Sequence, residues 1–205
     1  MSNDSAGPAA DAYADAAGVP ASPRRDSEAT RRAILDAATD LFCERGYDGA
    51  GTRDIAREAG VDARLITRYY GSKENLFAQV VDKVFQKSLM MGPGHNREAA
   101  IDLLTSSAPR RDGMMLMLRS ASNPRAAEIM RDHLERNYQH RVAEGLPGAD
   151  AVGRAALLIA VCTGVQAMRN VLHNSALPAG DVARLSPHLE AALDAITYGT
   201  APPAP

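Results

Sequence analysis

"TRDIAREAGVDARLITRYY", residues 52–70, holds two helical runs of about eight residues on either side of a three-residue break. Helices that short are not stable alone in water, so they must pack on each other and on a third element. Ala56 is small and lets the second run approach closely. Gly60 stands where the chain leaves the first run and needs positive φ. Val61 plugs the turn, Asp62 is a good N-cap for the next helix, and Ile66 points back into the core. This order of small, glycine and apolar positions is the spacing of a helix-turn-helix unit.

The second run has two faces. At roughly 100° per residue, Tyr70 lies about 40° from Ile66, on the core side. Arg64 and Arg68 fall within about 20° of the opposite pole, flanked by Thr67. If Ile66 is buried, both arginines project outward together. Two readings of that face stand: a solvated helix surface, or donors aimed into a major groove, where a bidentate Arg–guanine pair discriminates by about 1–3 kcal/mol.

Upstream, Ser27 is a plausible cap for a helix running to about Arg45 with Ile34, Ala38, Leu41 and Phe42 on its apolar face. Gly46 stops it. Residues 1–23 are rich in Ala, Pro, Gly, Ser and Asp and read as a disordered tail. Downstream, Gly71 and Ser72 break the second run. An amphipathic linking helix then covers 74–90, with Leu76, Val80, Val84 and Leu89 roughly on one side. Beyond the "MGPGHN" linker only helical patterns follow: 97–106, 111–121, 123–144 (opened by Asn123-Pro124), 149–172 and 186–198 (opened by Ser186-Pro187). Residues 200–205 read as a frayed end. The expected architecture is all-α with about nine helices. A compact three-helix module covers 24–73, with the helix-turn-helix at about 51–70, and a larger helical bundle covers 91–199.

Composition narrows the setting. The 205 residues include no Trp and three Phe, so the core must be aliphatic, which suits helices. Cys43 and Cys162 are too few and too distant for a disulfide framework and suggest a reducing compartment. No secretory leader and no apolar run near the ~18 residues of a membrane span is apparent, so a cytoplasmic protein without membrane association is expected. The net charge of −2 argues against a bulk nucleic-acid coat protein but leaves room for a local basic footprint. Over 24–73 there are ten basic and nine acidic residues, so affinity for DNA would depend on placement rather than total charge. Arg24, Arg25, Arg31 and Arg32 form either a DNA-contacting arm or a solvated one.

Residues 31–77, "RRAILDAATDLFCERGYDGAGTRDIAREAGVDARLITRYYGSKENLF", resemble the N-terminal domain of the TetR family of transcriptional regulators. The resemblance lies in "ILDAATDLFCERGYDG", then "TRDIAREAGV", then an aromatic pair with "GSKENLF". "LRSASNPRAAEIMRDHLE" resembles more loosely one of the family's ligand-binding domains. It implies a homodimer on a two-fold related operator, each protomer placing its third helix in a major groove. By position it implies DNA contacts from Thr52, Arg53, Asp62, Ala63, Arg64, Thr67, Arg68, Tyr69 and Lys73. Thr52, Arg53, Tyr69 and Lys73 suit phosphate, while Arg64, Thr67 and Arg68 could read bases. The chain departs from the family pattern at Gly51, Asp62, Arg64, Leu65 and Thr67, where the family often offers Thr or Ser, Ser, a small residue, Thr and Tyr. Asp62 would repel a nearby phosphate, and Leu65 could touch a thymine methyl.

In the C-terminal part, "MMLML" (114–118) reads as a helix apolar all round, enclosed by others. It is either ordinary core or the wall of a ligand pocket formed by Met114, Met117 and Leu118, with Phe85, Tyr138, Cys162, Gln166 and Met168 as neighbours. Ala156, Ala160, Gly164 and Ala167 form a stripe of small residues on the 149–172 helix. The stripe serves either intramolecular packing or a dimer interface shared with 186–198. His133 and His140 are seven apart, a poor spacing for a helical metal pair, and no metal or cofactor is expected. No catalytic motif is present. The expected function is a dimeric transcriptional regulator, more a repressor than an activator, answering to an unknown small-molecule effector. The alternatives are a helical enzyme and a protein-binding adaptor built on the same scaffold.

Overall fold

The computed structural model describes residues 23–85, 91–106, 113–178 and 181–199, and it contains helices and no strand among them. The expectations for 1–22, for Leu89 and for 200–205 lie outside the described residues, as do the side chains of Arg24 and Arg25. The elements are α1 (Pro23–Gly49), α2 (Thr52–Glu58), α3 (Arg64–Tyr70), α4 (Lys73–Phe85), α5 (Asn96–Thr105), α6 (Gly113–Ser120) and α7 (Pro124–Leu134). Then come α8 (His140–Glu144), α9 (Ala151–Gln166) and α10 (Val182–Tyr198). A π-helical turn, Glu135–Gln139, joins α7 to α8, and another, Ala167–Val171, extends α9. Counted as continuous rods, the described residues form nine helices, as expected from the sequence.

Local chemistry explains most boundaries. Gly46 kinks α1 with φ 71 and ψ −179. Gly60 and Gly71 also take positive φ, 67 and 79, and end α2 and α3. Val61 N–H donates to Ala56 O at 2.9 Å, closing the turn. Ser72 Oγ accepts from Asn75 N at 3.2 Å and caps α4. Asn123 Oδ1 accepts from Ala126 N at 3.0 Å, the cap expected before Pro124. Two starts differ from expectation. Ser27 lies inside α1, which begins at Pro23, so it is not a cap. α10 begins at Val182, a turn before Ser186, and carries Pro187 internally. The exposed proline leaves the carbonyl of exposed Ala183 to water, which makes it tolerable there.

Two hydrophobic cores organise the chain. The first joins α1–α4 to α6 and α7: Phe42, Ile55, Ile66, Leu76, Phe77, Val80, Leu116 and Met130 are all buried in it. The second joins α5, α8, α9 and α10 around Leu103, Leu158, Cys162 and Leu193. Phe42, Tyr47 and Phe77 meet ring against ring at centroid distances of 4.9–6.0 Å. The seam between α1 and α6 is polar as well as apolar. Arg119 Nη1 donates to Cys43 O at 2.5 Å, Tyr47 N to Ser120 Oγ at 3.0 Å, and Asn123 Nδ2 to Asp48 Oδ1 at 2.8 Å.

Two further expectations are corrected here. The Met-rich helix is not enclosed on every side: Leu116 is buried, but Leu118 is 48% exposed. α6 lies flat on α1 and α4, so only one face of it is covered. The helix from Ala151 to Val171 is long and apolar enough to cross a membrane, with mean hydropathy 1.6, contrary to the expectation that no stretch approaches this. Its two arginines are nevertheless spent on the fold. Arg154 donates to Ile196 O, Thr197 O and Pro147 O, fastening α9 to the end of α10, and Arg169 donates to Leu103 O and Ser106 O.

Candidate nucleic-acid interface

α3 is short, so its orientation is set by what it buries. Ile66 and Tyr70 are buried, at 1% and 5% exposure. Tyr70 O–H donates to Arg31 O at 2.6 Å, and the Arg31 guanidinium lies 5.3 Å from the Tyr70 ring centroid. These contacts pin α3 across α1. The opposite face is left to solvent, and Arg64, Thr67 and Arg68 are exposed on it.

The structure places the other expected DNA-facing residues at the ends of neighbouring helices. Thr52 and Arg53 open α2; Arg53 is exposed and Thr52 half-buried. Gly51 precedes them in extended backbone without a side-chain cap, so the first amides of α2 keep free N–H groups. Ala63 and Tyr69 are half-buried, and both pack on the first core. The Arg68 guanidinium sits 5.9 Å from the Tyr69 ring centroid. Leu65 also packs partly on the core, which accounts for an apolar residue at that place.

Two electrostatic arrangements were not legible in the sequence. Asp62 accepts from the Arg64 backbone N–H at 2.8 Å, as a cap does, and also grips its guanidinium at 2.9 and 3.1 Å. The Arg64 hydrogen bonds, side chain first and backbone second, hold the Asp62 carboxyl down at about 2. Helix-face rules miss this pair because Asp62 lies just outside the helix. The second arrangement involves Lys73, whose Nζ stands 4.4 Å from the Tyr47 ring centroid, with burial lowering its pKa. Tyr47 in turn donates to Glu74 Oε1 at 3.1 Å. So the cation that opens α4 rests on an aromatic face instead of reaching freely into solvent.

Tyr47 supplies a pH prediction. Burial, then the Glu74 hydrogen bond, push its phenol up to about 12. Because the folded value lies above the ordinary 10, its contribution is complete below pH 10 and is lost as pH rises from 10 through 12. Denaturant unfolding at stepped pH should therefore show wild type losing stability relative to Tyr47→Phe across that window. Two curves that run parallel from pH 8 to 12 would count against this.

The residues expected to line a ligand pocket are not brought together. Phe85 and Tyr138 are: their ring centroids are 6.1 Å apart, and both line a cleft of about 430 Å³ between α4 and the α7–α8 rod. Met114 is buried in α6, where Phe85 packs over Gly113, and Leu118 faces solvent. Met117 packs on the first core. Cys162 belongs to the second core, its thiol donating to Met91 Sδ and pushed up to about 12 by burial. Gln166 is half-buried, and Met168 is 39% exposed. Sequence reasoning missed what completes the cleft: Asp82 of α4, which accepts from Asn137 at 2.7 Å and pairs with His133 Nδ1 at 2.8 Å. The π-helical turn breaks the helical register between His133 and His140. Among the described residues no group of three His, Cys, Asp or Glu could hold a metal ion.

Comparison with known proteins agrees with this geometry. The family model described as "Bacterial regulatory proteins, tetR family" matches residues 34–80. The model described as "Tetracyclin repressor-like, C-terminal domain" matches residues 99–196. The chain is 42% identical over 72 residues to the HTH-type transcriptional repressor Rv3405c of Mycobacterium tuberculosis, spanning 33% of this chain and 38% of that one. It is 46% identical over 59 residues to the HTH-type transcriptional repressor SCO4008 of Streptomyces coelicolor, spanning 29% and 31%. The chain thus matches less than two fifths of the length of these curated relatives. Among solved structures it is similar to NalD of Pseudomonas aeruginosa, described as the secondary repressor of the MexAB-OprM multidrug efflux pump. That match has TM-score 0.54, 25% identity, and covers 82% of this chain and 96% of the other. Salmonella enterica GusR shares the fold, with TM-score 0.58, 18% identity, and 82% and 95% coverage.

Proposed function

The chain belongs to the TetR family of bacterial regulatory proteins, and from that premise we propose that it is a dimeric repressor of transcription, acting in the cytoplasm on a palindromic operator. The observation that carries this reading is the solvent face of α3. Arg64, Thr67 and Arg68 are exposed there, while Ile66 and Tyr70 anchor the helix from behind. α3 enters the major groove; Arg64, Thr67 and Arg68 read bases; Thr52, Arg53, Tyr69 and Lys73 meet phosphates. The DNA-binding unit is residues 24–73, linked by α4 to a ligand-binding and dimerisation unit over 91–199. The relatives are named transcriptional regulators, which supports this reading over an enzyme or an adaptor.

Dimerisation is assigned to α9 and α10. Gly153, Leu157, Ala160, Gly164 and Met168 recur at helical spacing and are all exposed. Only 17% of the most apolar window of this helix is buried. A second copy covering that face would hold two recognition helices one DNA turn apart, about 34–36 Å. The effector site is assigned to the cleft against α4, where Val81, Phe85, Leu134 and Tyr138 are interspersed with Asp82, His133, Arg136, Asn137 and Arg141. α4 begins at Lys73, directly after α3. A small occupant with polar as well as apolar groups that shifts α4 therefore shifts α3, and operator affinity falls by the coupling free energy, typically about 1–3 kcal/mol.

Two substitutions separate base reading from phosphate binding. Arg68→Ala should relax preference at one operator position, removing about 1–3 kcal/mol of discrimination. Lys73→Ala should weaken all sequences alike and make the salt slope shallower by about one. Filter-binding titrations on cognate and scrambled duplexes at several salt concentrations measure both. If Arg68→Ala weakens every duplex equally, Arg68 does not read a base.

A further inference from the structure

We infer that Asp62 is a positioning residue for base reading: it holds Arg64 so that the guanidinium presents its two terminal nitrogens to a guanine. This rests on the reading that α3 enters the major groove. Asp62 Oδ1 accepts from Arg64 Nε at 3.1 Å, and Oδ2 accepts from Nη2 at 2.9 Å. The carboxylate therefore occupies the Nε edge of the guanidinium. Of its five N–H groups, both on Nη1 and the second on Nη2 stay unengaged by Asp62. That remaining edge is a planar fork, and it matches O6 and N7 of guanine.

The pair is not a stability device. The Arg64 side chain is 91% exposed and that of Asp62 is 50% exposed, and pairs so exposed contribute little to folding. What distinguishes it is the third bond. Asp62 Oδ1 also accepts from the Arg64 backbone N–H at 2.8 Å, so the carboxylate is fixed to the start of α3 before it meets the guanidinium. A flexible arginine is thereby ordered in advance of binding, which lowers the entropic cost of making a directional contact. The same carboxylate repels phosphate, so an Arg64 released from it would be freer to make a sequence-independent backbone contact. Asp62 trades affinity for selectivity, as specific interfaces do.

The alternative is that Asp62 only caps α3, and the test separates the two roles. Serine and asparagine at position 62 still accept the Arg64 backbone N–H, but neither can hold Nε and Nη2 with a charged fork. Full-length wild type, Asp62→Ser, Asp62→Asn and Arg64→Ala are each used to select from a randomised double-stranded DNA library, followed by titrations on single-base variants of the selected half-site. Thermal melts check that the caps survive. Wild type should show a guanine at one half-site position, preferred about ten-fold or more, that Arg64→Ala loses. Both Asp62 variants should lose that preference while keeping their melting temperature. They should bind scrambled DNA several-fold more tightly, with a salt slope steeper by about one. If the guanine preference survives Asp62→Ser and Asp62→Asn while Arg64→Ala abolishes it, Asp62 is a cap alone and the inference is overturned. If wild type selects no sequence at all, the DNA-binding reading itself fails, and this inference falls with it.

Discussion

Gly46→Ala should lower the stability of the protein by about 2–5 kcal/mol and loosen the seam between α1 and α6. Two effects add. The residue sits at φ 71, in the left-handed region where a side chain is strained by about 1–2 kcal/mol. A Cβ built there would also stand 2.2 Å from the carbonyl oxygen of Arg119 and 2.8 Å from its carbonyl carbon. Both are backbone atoms, so no rotamer change relieves the clash. α1 and α6 must separate, and such overpacking adds about 1–3 kcal/mol. Separation stretches the bonds from Tyr47 N to Ser120 and from Arg119 to Cys43 O. For a chain of this size the melting temperature should fall by roughly 4–20 °C. Gly60→Ala is the control, because Gly60 has φ 67 but nothing within 4 Å of an added Cβ. It should cost only about 1–2 kcal/mol. Equal costs at the two glycines, measured by thermal and urea unfolding, would mean that the seam yields without resistance.

Leu157→Glu should break the proposed dimer and, with it, operator binding. Leu157 is 55% exposed on the face of α9 assigned to the partner, so the free protomer tolerates a carboxylate there. A two-fold interface places the substitution twice, once from each copy. A desolvated, unpaired charge costs about 2–5 kcal/mol at an interface, and two of them should weaken association by a factor of about 1,000 or more. A monomer holds one recognition helix and forfeits the second half-site, so affinity for a palindrome should fall by at least about 100-fold. Sedimentation velocity on the variant checks the first effect and a mobility shift the second. A variant that sediments as a dimer and binds as wild type does would move the interface elsewhere.

Much of the DNA-binding half was legible because its rules are local. Glycine at 46, 60 and 71 marks three chain breaks, and at each the backbone has positive φ. Ile66 fixed the phase of α3, and with it the outward direction of Arg64, Thr67 and Arg68. The C-terminal half was less legible because its faces are set by which helix lies on which. The π-helical turns at Glu135–Gln139 and Ala167–Val171 carry no compositional mark. Each rotates the helical residues downstream of it. The expected pocket residues are scattered for another reason: α6 leaves Leu118 to solvent, and Cys162 lies in the second core. The seating of Lys73 on Tyr47 is not legible locally, because the two stand 26 positions apart across the first core. Asp62 is legible as a cap, but its hold on the Arg64 guanidinium is visible only in three dimensions.

Whether the exposed face of α3 reads DNA sequence is measured most directly by a mobility-shift titration of the full-length protein against tiled duplexes flanking its own coding region, repeated from about 50 to 200 mM salt. The expected result is tight, salt-sensitive binding to a duplex carrying a two-fold symmetric sequence, lost when Arg64 and Arg68 are both replaced by alanine. Binding that is equal on every duplex, or that survives the double replacement unchanged, would contradict it.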